Sequence, residues 1–185
     1  MRKNFGAKPF LYPQPVFIIG SYDENGTPDA MNAAWGGISE ADEISMCLSA
    51  GHKTVKNILA RKAFTISMAT ADTVASCDYV GLVSGNNVAD KLEKAGFHTE
   101  KSEFVDAPII TELPLTIECA LISYDSETCR MVGKIVNVCA EESILTDGKI
   151  DPMKLRPITF DGVNNAYHVL GEKVGDAFKV GAALK

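Results

Sequence analysis

Two long segments in the second half of the chain, residues 115–124 and 130–140, constrain the fold most strongly. In the first segment, apolar side chains recur at every second position from Leu115 to Leu121. Alternation with a period of two is typical of a strand that buries one face. The polar residues 125–128 between the segments predict a turn, so we expect a long antiparallel hairpin.

Shorter strands and a few helices are expected around this hairpin. We predict strands over residues 16–22, 30–38, 44–49, 63–68 and 157–160, helices over 54–61, 71–83 and 88–96, and a mostly irregular stretch over 97–114. Residues 1–15 contain three prolines and are predicted to form an arm. An antiparallel sheet leaves few exposed edges when it closes or nearly closes into a barrel. We therefore expect residues 1–185 to form a single, mainly β domain.

The composition limits the classes of function. With 46% hydrophobic and 23% charged residues, the 185-residue chain has the composition of a soluble globular protein. Its net charge of -6 argues against a nucleic-acid partner, because phosphate backbones are usually bound by a basic face. The sequence has neither the apolar run of a secretory signal nor the ~20 apolar residues of a membrane span. No membrane association is expected, and a cytoplasmic location is predicted.

The cysteines and histidines do not follow a metal-binding pattern. The chain has five widely spaced cysteines, which are Cys47, Cys77, Cys119, Cys129 and Cys139. They include no closely spaced pair, whereas zinc and iron–sulfur sites use clustered thiolates. His98 and His168 also lack a partner at the spacing of metal ligands. We therefore predict no metal site and expect the cysteines to be reduced thiols of the core.

Small residues and the only Trp of the chain lie together in the second predicted strand, in the order Asn32, Ala33, Ala34, Trp35. One interpretation is that these residues let a flat ligand approach the backbone closely, with Trp35 beside its ring. The other is a close crossing of strands in which Trp35 fills the core. The residues alone leave both interpretations open.

Four polar residues stand just before or at the start of the helix predicted over residues 54–61: Ser49, His52, Lys53 and Thr54. The N–H groups of a helix start, a permanent cation and hydroxyl groups together suit a phosphate group. Alternatively, Thr54 or a neighbour only caps the helix, while His52 and Lys53 are solvated. Lys91 is open to the same two interpretations, a ligand contact or a solvated residue at a helix start.

In their order along the chain, these segments resemble the flavin reductase-like family of FMN-binding split-barrel proteins, and within it the flavoredoxin type. The matching segments are Pro15-Val16, residues 32–35, residues 49–54 with Ile58, Ser84-Gly85 followed by Asp90-Lys91, and residues 167–171. The resemblance implies a six-stranded antiparallel Greek-key split barrel with flanking helices. It also implies a homodimer with two FMN sites near the subunit interface.

The resemblance further implies roles for individual residues. The residues that would face the isoalloxazine ring are Asn32, Ala33, Ala34 and Trp35. Those that would hold the phosphate and the ribityl chain are Ser49, His52, Lys53 and Thr54. Lys91 is a further candidate contact, followed by Ser84 and Tyr167. Many family members carry an Arg in the phosphate loop where this chain has His52 and Lys53. A Lys offers a point charge in place of a bidentate fork, so we expect either weaker phosphate binding or binding that depends on protonated His52.

The predicted function is that of an FMN-dependent oxidoreductase. It would be either a flavin reductase that uses NADH or NADPH, or an electron-transfer flavoprotein with a redox protein partner. We assign no catalytic acid or base, because the flavin would carry the redox chemistry. One alternative is a non-catalytic barrel that binds a flavin for storage or sensing. Another is an enzyme similar to the pyridoxamine-phosphate oxidases, which would be expected to have more cations in its pocket.

Overall fold

The computed structural model describes residues 1–185, apart from the side chain of residue 183. The strands are β1 (Phe17–Tyr22), β2 (Pro28–Ala33), β3 (Gly36–Glu40), β4 (Glu43–Cys47), β5 (Ala63–Met68), β6 (Thr99–Lys101), β7 (Pro108–Ile110), β8 (Leu115–Asp125), β9 (Arg130–Ala140), β10 (Leu145–Thr146), β11 (Lys149–Ile150), β12 (Ile158–Asp161) and β13 (Ala166–Val169). The helices are α1 (Lys53–Arg61), α2 (Val74–Leu82), α3 (Lys91–Lys94) and α4 (Pro152–Leu155). No helix among the described residues combines the length and apolarity needed to cross a bilayer.

Seven strands form one antiparallel sheet in the order β2-β1-β5-β8-β9-β4-β3. The two edge strands, β2 and β3, follow each other in the chain and are separated only by Ala34 and Trp35. They are therefore two halves of one bent strand, and counting them together gives six strands around a curled sheet. The predicted mainly β antiparallel split barrel with flanking helices is confirmed. The single strand predicted over 30–38 is broken at the bend.

The predicted hairpin over residues 115–140 is present as β8 and β9, which pair from Leu115 opposite Ala140 to Asp125 opposite Arg130. Its register shifts twice, between Glu118 and Cys119 and between Leu121 and Ser123. Such bulges bend a strand and increase its twist, which helps the sheet to curl.

The interior of the curled sheet needs a glycine at position 133. Phe64 is fully buried, and a methyl group added to Gly133 would lie 2.3 Å from Phe64 Cζ. The aromatic ring of β5 thus occupies the space that a side chain of β9 would need.

Two apolar clusters share β1, because its successive side chains point to opposite faces of the sheet. Phe17 and Ile19 pack inside the barrel, together with Val55 and Ile58 of α1. Ile18 packs on the other face against a second cluster that includes residues of α2. This second contact holds α2 against β1 and β2, which positions one wall of the site described below.

Several local elements differ from the sequence-based prediction. The helix predicted over 71–83 begins with a 3-10 turn, Ala71–Thr73, and the helix predicted over 88–96 is limited to α3. Gly96, at a φ of 71°, follows the end of α3 in the left-handed conformation that glycine tolerates. The stretch over 97–114 contains the short strands β6 and β7, and the C-terminal segment contributes β13.

The cysteine prediction is correct for only part of the set. All five cysteines are free, and Cys77 and Cys119 are buried as expected. Cys47 is exposed, and Cys129 and Cys139 are half-buried. Cys47 is the last residue of β4, where the strand leaves the core and approaches the site described below.

The N-terminal arm is attached to the hairpin of β12 and β13. The Thr159 hydroxyl donates to the Gln14 carbonyl at 2.8 Å and accepts from the Gln14 N–H group at 2.8 Å. The Tyr12 hydroxyl donates to the carboxylate of Asp161, which is buried. These contacts connect the two ends of the chain beside the bend between β2 and β3.

Candidate functional site

The bend between β2 and β3 forms one wall of a cavity of about 350 Å³. This wall consists of the backbone and small side chains of Asn32, Ala33 and Ala34, with Trp35 at its end. The other walls come from α2 and from the β12–β13 hairpin, which contributes Phe160 and Tyr167. The result is an open cavity with one side of small residues and with aromatic side chains in its lining.

Trp35 is 55% exposed and therefore does not fill the core. Its position at the break between the edge strands keeps the indole at the rim of the cavity. The alternative in which Trp35 is a core residue is wrong. An exposed indole beside a flat wall is available to contact a planar ring or a second protein surface.

A smaller cavity of about 210 Å³ adjoins the first. The residues that line both cavities are Met31, Asn32, His52, Gly81 and Leu82. The smaller cavity is also lined by Lys53 and Thr54 at the start of α1, and by Ser84, Gly85 and Lys91 on the opposite side. The two cavities thus join a region bordered by small and aromatic side chains to a region that contains two ammonium groups.

The N-terminus of α1 faces the smaller cavity without a side-chain cap. His52 is the N-cap residue, with an extended backbone, and its side chain makes no capping hydrogen bond. The first turn contains no acidic residue. The first N–H groups of a helix lack intrahelical acceptors and carry a partial positive charge, so this end of α1 is suited to an anion.

Thr54 does not cap the helix, because its hydroxyl points to a different partner. It donates to Asp29 Oδ2 at 3.1 Å, and both residues are buried. The alternative in which Thr54 or a neighbour serves only as a helix cap is therefore not supported by the geometry.

Asp29 connects the elements around the smaller cavity. Its Oδ1 atom lies 3.2 Å from Lys91 Nζ, and both side chains are 3% exposed. Lys91 Nζ also donates to the carbonyls of Val80 and Val83 at the end of α2, at 3.4 and 3.3 Å. Lys91 is thus neither a solvated residue nor an unpaired cation. Asp29 and Lys91 together hold β2, α2 and α3 at fixed positions.

Two glycines allow the walls to approach each other. A methyl group added to Gly81 would lie 2.8 Å from the Asn32 side chain, and one added to Gly85 would lie 2.3 Å from Asp29 Oδ1. Asn32 uses the space beside α2 to donate from Nδ2 to the Cys77 carbonyl at 3.0 Å. The Asn32 side chain is therefore fixed by α2, while the residue remains part of the cavity wall at the bend between β2 and β3.

Tyr167 and Asp78 form a polar pair at the margin of the larger cavity. The Tyr167 hydroxyl donates to Asp78 Oδ1 at 2.8 Å and so connects the β12–β13 hairpin to α2. Burial, followed by the hydrogen bond to Asp78, raises the pKa of Tyr167 to about 12. The hydroxyl is therefore protonated at neutral pH and serves as a hydrogen-bond donor.

The structure brings most of the sequence-predicted site residues to the two cavities. Those at the larger cavity are Asn32, Ala33, Ala34, Trp35, His52 and Tyr167. Those at the smaller cavity are Asn32, His52, Lys53, Thr54, Ser84 and Lys91. Ser49 differs from the others, since it is exposed and lines neither cavity, although its carbonyl accepts the His52 N–H group at 3.1 Å.

Sequence reasoning missed residues on the opposite walls. These are Asp29, Asp78, Gly81, Leu82 and Phe160. Asp29 lies between two predicted strands, over 16–22 and 30–38, and resembles an ordinary loop residue, while Asp78 and Gly81 lie within a predicted helix. A glycine inside a helix is a weak signal for close packing, and Gly81 carried that signal. The sequence contains no comparable signal for the other four residues.

Comparison with known proteins identifies the family of the chain and agrees with its fold. A family model described as a flavin reductase like domain matches residues 10–154. The structure of flavoredoxin of Desulfovibrio vulgaris (Miyazaki F) has a TM-score of 0.93 and 38% sequence identity, with 98% of this chain and 100% of that chain covered. Flavoredoxin from Methanosarcina acetivorans has a TM-score of 0.90 and 27% identity, with 100% of both chains covered. An uncharacterized protein of Aquifex aeolicus (strain VF5) is 31% identical over an aligned length of 161, with 80% of this chain and 80% of that chain covered.

Proposed function

The chain belongs to the flavin reductase-like family, and we propose that it binds FMN across the two adjoining cavities and acts as an oxidoreductase. One observation carries the proposal. The uncapped N-terminus of α1, with Lys53 and Thr54, opens onto the smaller cavity, and this cavity adjoins one that Ala33 and Ala34 line. FMN has the matching two parts, a planar ring system and a phosphate group on a flexible chain.

In this proposal, the isoalloxazine ring lies in the larger cavity along the backbone of residues 32–34. Ala33 and Ala34 have no bulk that would keep a ring away from the backbone. Trp35 stands at one margin, and Phe160 and Tyr167 stand at another. The protonated Tyr167 hydroxyl is oriented by its hydrogen bond to Asp78. A ligand could therefore contact this hydroxyl only from the directions that the hydrogen bond leaves free.

The phosphate group would lie in the smaller cavity at the N-terminus of α1. The backbone N–H groups of the first turn and the Lys53 ammonium would donate to the phosphate oxygens. The resemblance to the family adds Ser49 to these candidates. Ser49 is exposed and lines neither cavity, so it is a weaker candidate than Lys53. Lys91 would contribute mainly through its hydrogen bonds to α2 and its ion pair with Asp29.

Bound FMN would supply the redox chemistry, and this chain would supply binding, orientation and electrostatics. No residue of the site is assigned the role of a catalytic acid or base. NADH, NADPH or a redox protein could donate the electrons. The match to two flavoredoxins over nearly the whole chain favours electron transfer with a protein partner, with direct reduction by a nicotinamide as the second option.

Spectroscopy and titration test the proposal. The purified protein is treated to remove bound ligands, and FMN is added while the quenching of flavin fluorescence is followed. Saturable quenching with a stoichiometry near one FMN per chain is expected. A protein that takes up no FMN contradicts the proposal. Anaerobic addition of NADH or NADPH to the FMN complex then separates the two options. Rapid loss of flavin absorbance indicates a nicotinamide-dependent reductase, and a stable spectrum favours the protein-partner option.

We also propose that the protein forms a homodimer through the surface around Trp35. Trp35 and the arm residues Phe10 and Leu11 are all exposed, and they border one groove of about 430 Å³. Neighbouring exposed apolar side chains are typical of a surface that another protein covers. Sedimentation analysis should give twice the mass of the chain, 19.9 kDa. A monomer at micromolar concentration contradicts this part of the proposal.

A cytoplasmic location is proposed as well, and the five free cysteines support it because disulfides persist mainly in oxidising compartments. Cell fractionation with antibodies against the protein tests this location.

A further inference from the structure

The two lysines of the smaller cavity are each paired with an aspartate, but the two pairs differ in how firmly they are held. Lys91 is paired with Asp29, and Lys53 is paired with Asp23. A phosphate group that enters this cavity therefore meets cations that already have counter-ions. Which lysine can exchange its partner determines how the site recognises an anion.

The Lys91 pair is fixed by its surroundings. Both side chains are 3% exposed and lie 3.2 Å apart. Lys91 Nζ also donates to two carbonyls at the end of α2, and Asp29 also accepts from Thr54. Moving the ammonium towards a ligand would leave a buried carboxylate without its counter-charge and two carbonyls without their donor, which is strongly unfavourable. Lys91 is thus bound to the protein itself.

The Lys53 pair is loose by comparison. The ammonium lies 3.5 Å from Asp23 Oδ2, and the two side chains are 21% and 19% exposed. Among the described residues, Asp23 is the acidic side chain with which Lys53 Nζ is paired. A partly exposed ion pair at this distance contributes little to stability, so Lys53 can move to another anion at small cost.

Asp23 is held in place even though Lys53 is not. Its Oδ1 atom accepts the N–H groups of Asn25 at 3.0 Å and Thr27 at 2.9 Å in the turn between β1 and β2. Burial opposes ionisation, but these N–H groups and Lys53 together keep the pKa of Asp23 below its usual range. The carboxylate thus remains charged at its place in the turn, beside Lys53, which itself lines the smaller cavity.

We propose that Lys53 is the exchangeable cation of the site and that Asp23 competes with the phosphate group for it. This inference rests on the proposed binding of FMN. The phosphate group displaces Asp23 from Lys53, and the fixed Asp23 carboxylate then repels the phosphate. Asp23 therefore lowers the affinity for phosphorylated flavin and has no such effect on riboflavin, which lacks the phosphate group.

The substitution Asp23→Asn tests the inference because it removes the charge and keeps the turn. An Asn side chain retains an oxygen that can accept from Asn25 and Thr27, and Asn is well suited to such turns. The matched control is Glu24→Gln, which removes the same charge from the neighbouring, exposed residue of the same turn. Dissociation constants for FMN and riboflavin are measured for the wild type and for both variants by fluorescence quenching.

Asp23→Asn should bind FMN about two- to fivefold more tightly than the wild type, the range expected for a partly exposed ion pair. Its affinity for riboflavin and both affinities of Glu24→Gln should stay unchanged. The gain for FMN should shrink in 0.5 M salt, because exposed charges are screened. An unchanged FMN affinity of Asp23→Asn, or an equal gain for riboflavin or for Glu24→Gln, overturns the inference while the proposed function stands. A wild type that binds neither flavin overturns the proposed function, and the inference with it.

Discussion

At the scale of single residues, charge and burial assign different tasks to side chains that look alike in the sequence. Lys53 and Lys91 are both lysines at the start of a helix and both line the smaller cavity. Lys91 is enclosed with Asp29, whereas Lys53 and Asp23 are half-buried. Lys91 therefore contributes mainly to stability, and Lys53 is available for binding.

The substitution Lys53→Ala should weaken FMN binding by roughly 1.5–3 kcal/mol, the net value of a hydrogen bond to a charged group. Fluorescence titration measures the change. Lys56→Ala is a matched control, since Lys56 is an exposed lysine of the same helix that lines neither cavity. Equal affinities in Lys53→Ala and the wild type would show that the phosphate group lies elsewhere.

The substitution Asp29→Ala should lower the free energy of unfolding by about 3–5 kcal/mol, because it leaves the Lys91 ammonium buried without a counter-charge. Urea unfolding measures this loss. The exposed pair of Asp42 and Lys134 offers a control, and Asp42→Ala should cost at most about 1 kcal/mol. Adding Lys91→Met to Asp29→Ala should restore much of the stability. If it does not, the loss has another cause than the unpaired charge.

At the scale of secondary structure elements, the sheet curves because of two bulges and a strand break, and it accommodates one close contact between β5 and β9. The bulges in β8 and β9 bend the long hairpin, and the break at Ala34 and Trp35 lets one strand serve both edges of the sheet. Gly133 then provides the space that the Phe64 ring occupies in the interior. The break that closes the sheet is also the wall of the proposed ring site.

The substitution Gly133→Ala should therefore destabilise the barrel by about 1–3 kcal/mol, the usual cost of overpacking a core. Thermal and urea unfolding measure it. Gly37→Ala in β3 is the control, because a methyl group there meets no atom within 4 Å. Combining Gly133→Ala with Phe64→Leu should recover part of the loss. A fully stable single variant would contradict the described contact between β9 and Phe64.

At the scale of the whole molecule, the arm and the β12–β13 hairpin connect the two ends of the chain beside the site. Asp161 is the centre of this connection, since it accepts from Tyr12, from the side chain of Asn164 and from the N–H group of Val163. The hydrogen bond from Tyr12, followed by that from Asn164, holds the pKa of the Asp161 carboxyl well below its usual range. The carboxylate is therefore stabilised in the folded state relative to the unfolded state.

This linkage predicts a pH dependence of stability. A carboxyl group with a depressed pKa in the folded state contributes its full stabilisation above its unfolded value of about 3.9, and the contribution is lost as the pH falls below that value. The melting temperature should decrease as the pH falls from about 4 to about 2, and Asp161→Asn should reduce the size of that decrease. The exposed Glu172→Gln is the control. An identical pH profile for Asp161→Asn and the wild type would show that this carboxyl does not contribute.

The sequence by itself determined most strands of the main sheet, the long antiparallel hairpin and the two short segments proposed for the site. Alternation along residues 115–121 and the clustering of polar residues before α1 are local patterns, and local patterns depend only on neighbouring positions. Tertiary structure decided what faces these segments. The ion pair of Asp29 and Lys91, the contact of Tyr167 with Asp78 and the approach of Gly81 to Asn32 join residues that are dozens of positions apart. Burial and charge pairing arise only when the curled sheet brings such positions together, and they separate the fixed lysine from the exchangeable one.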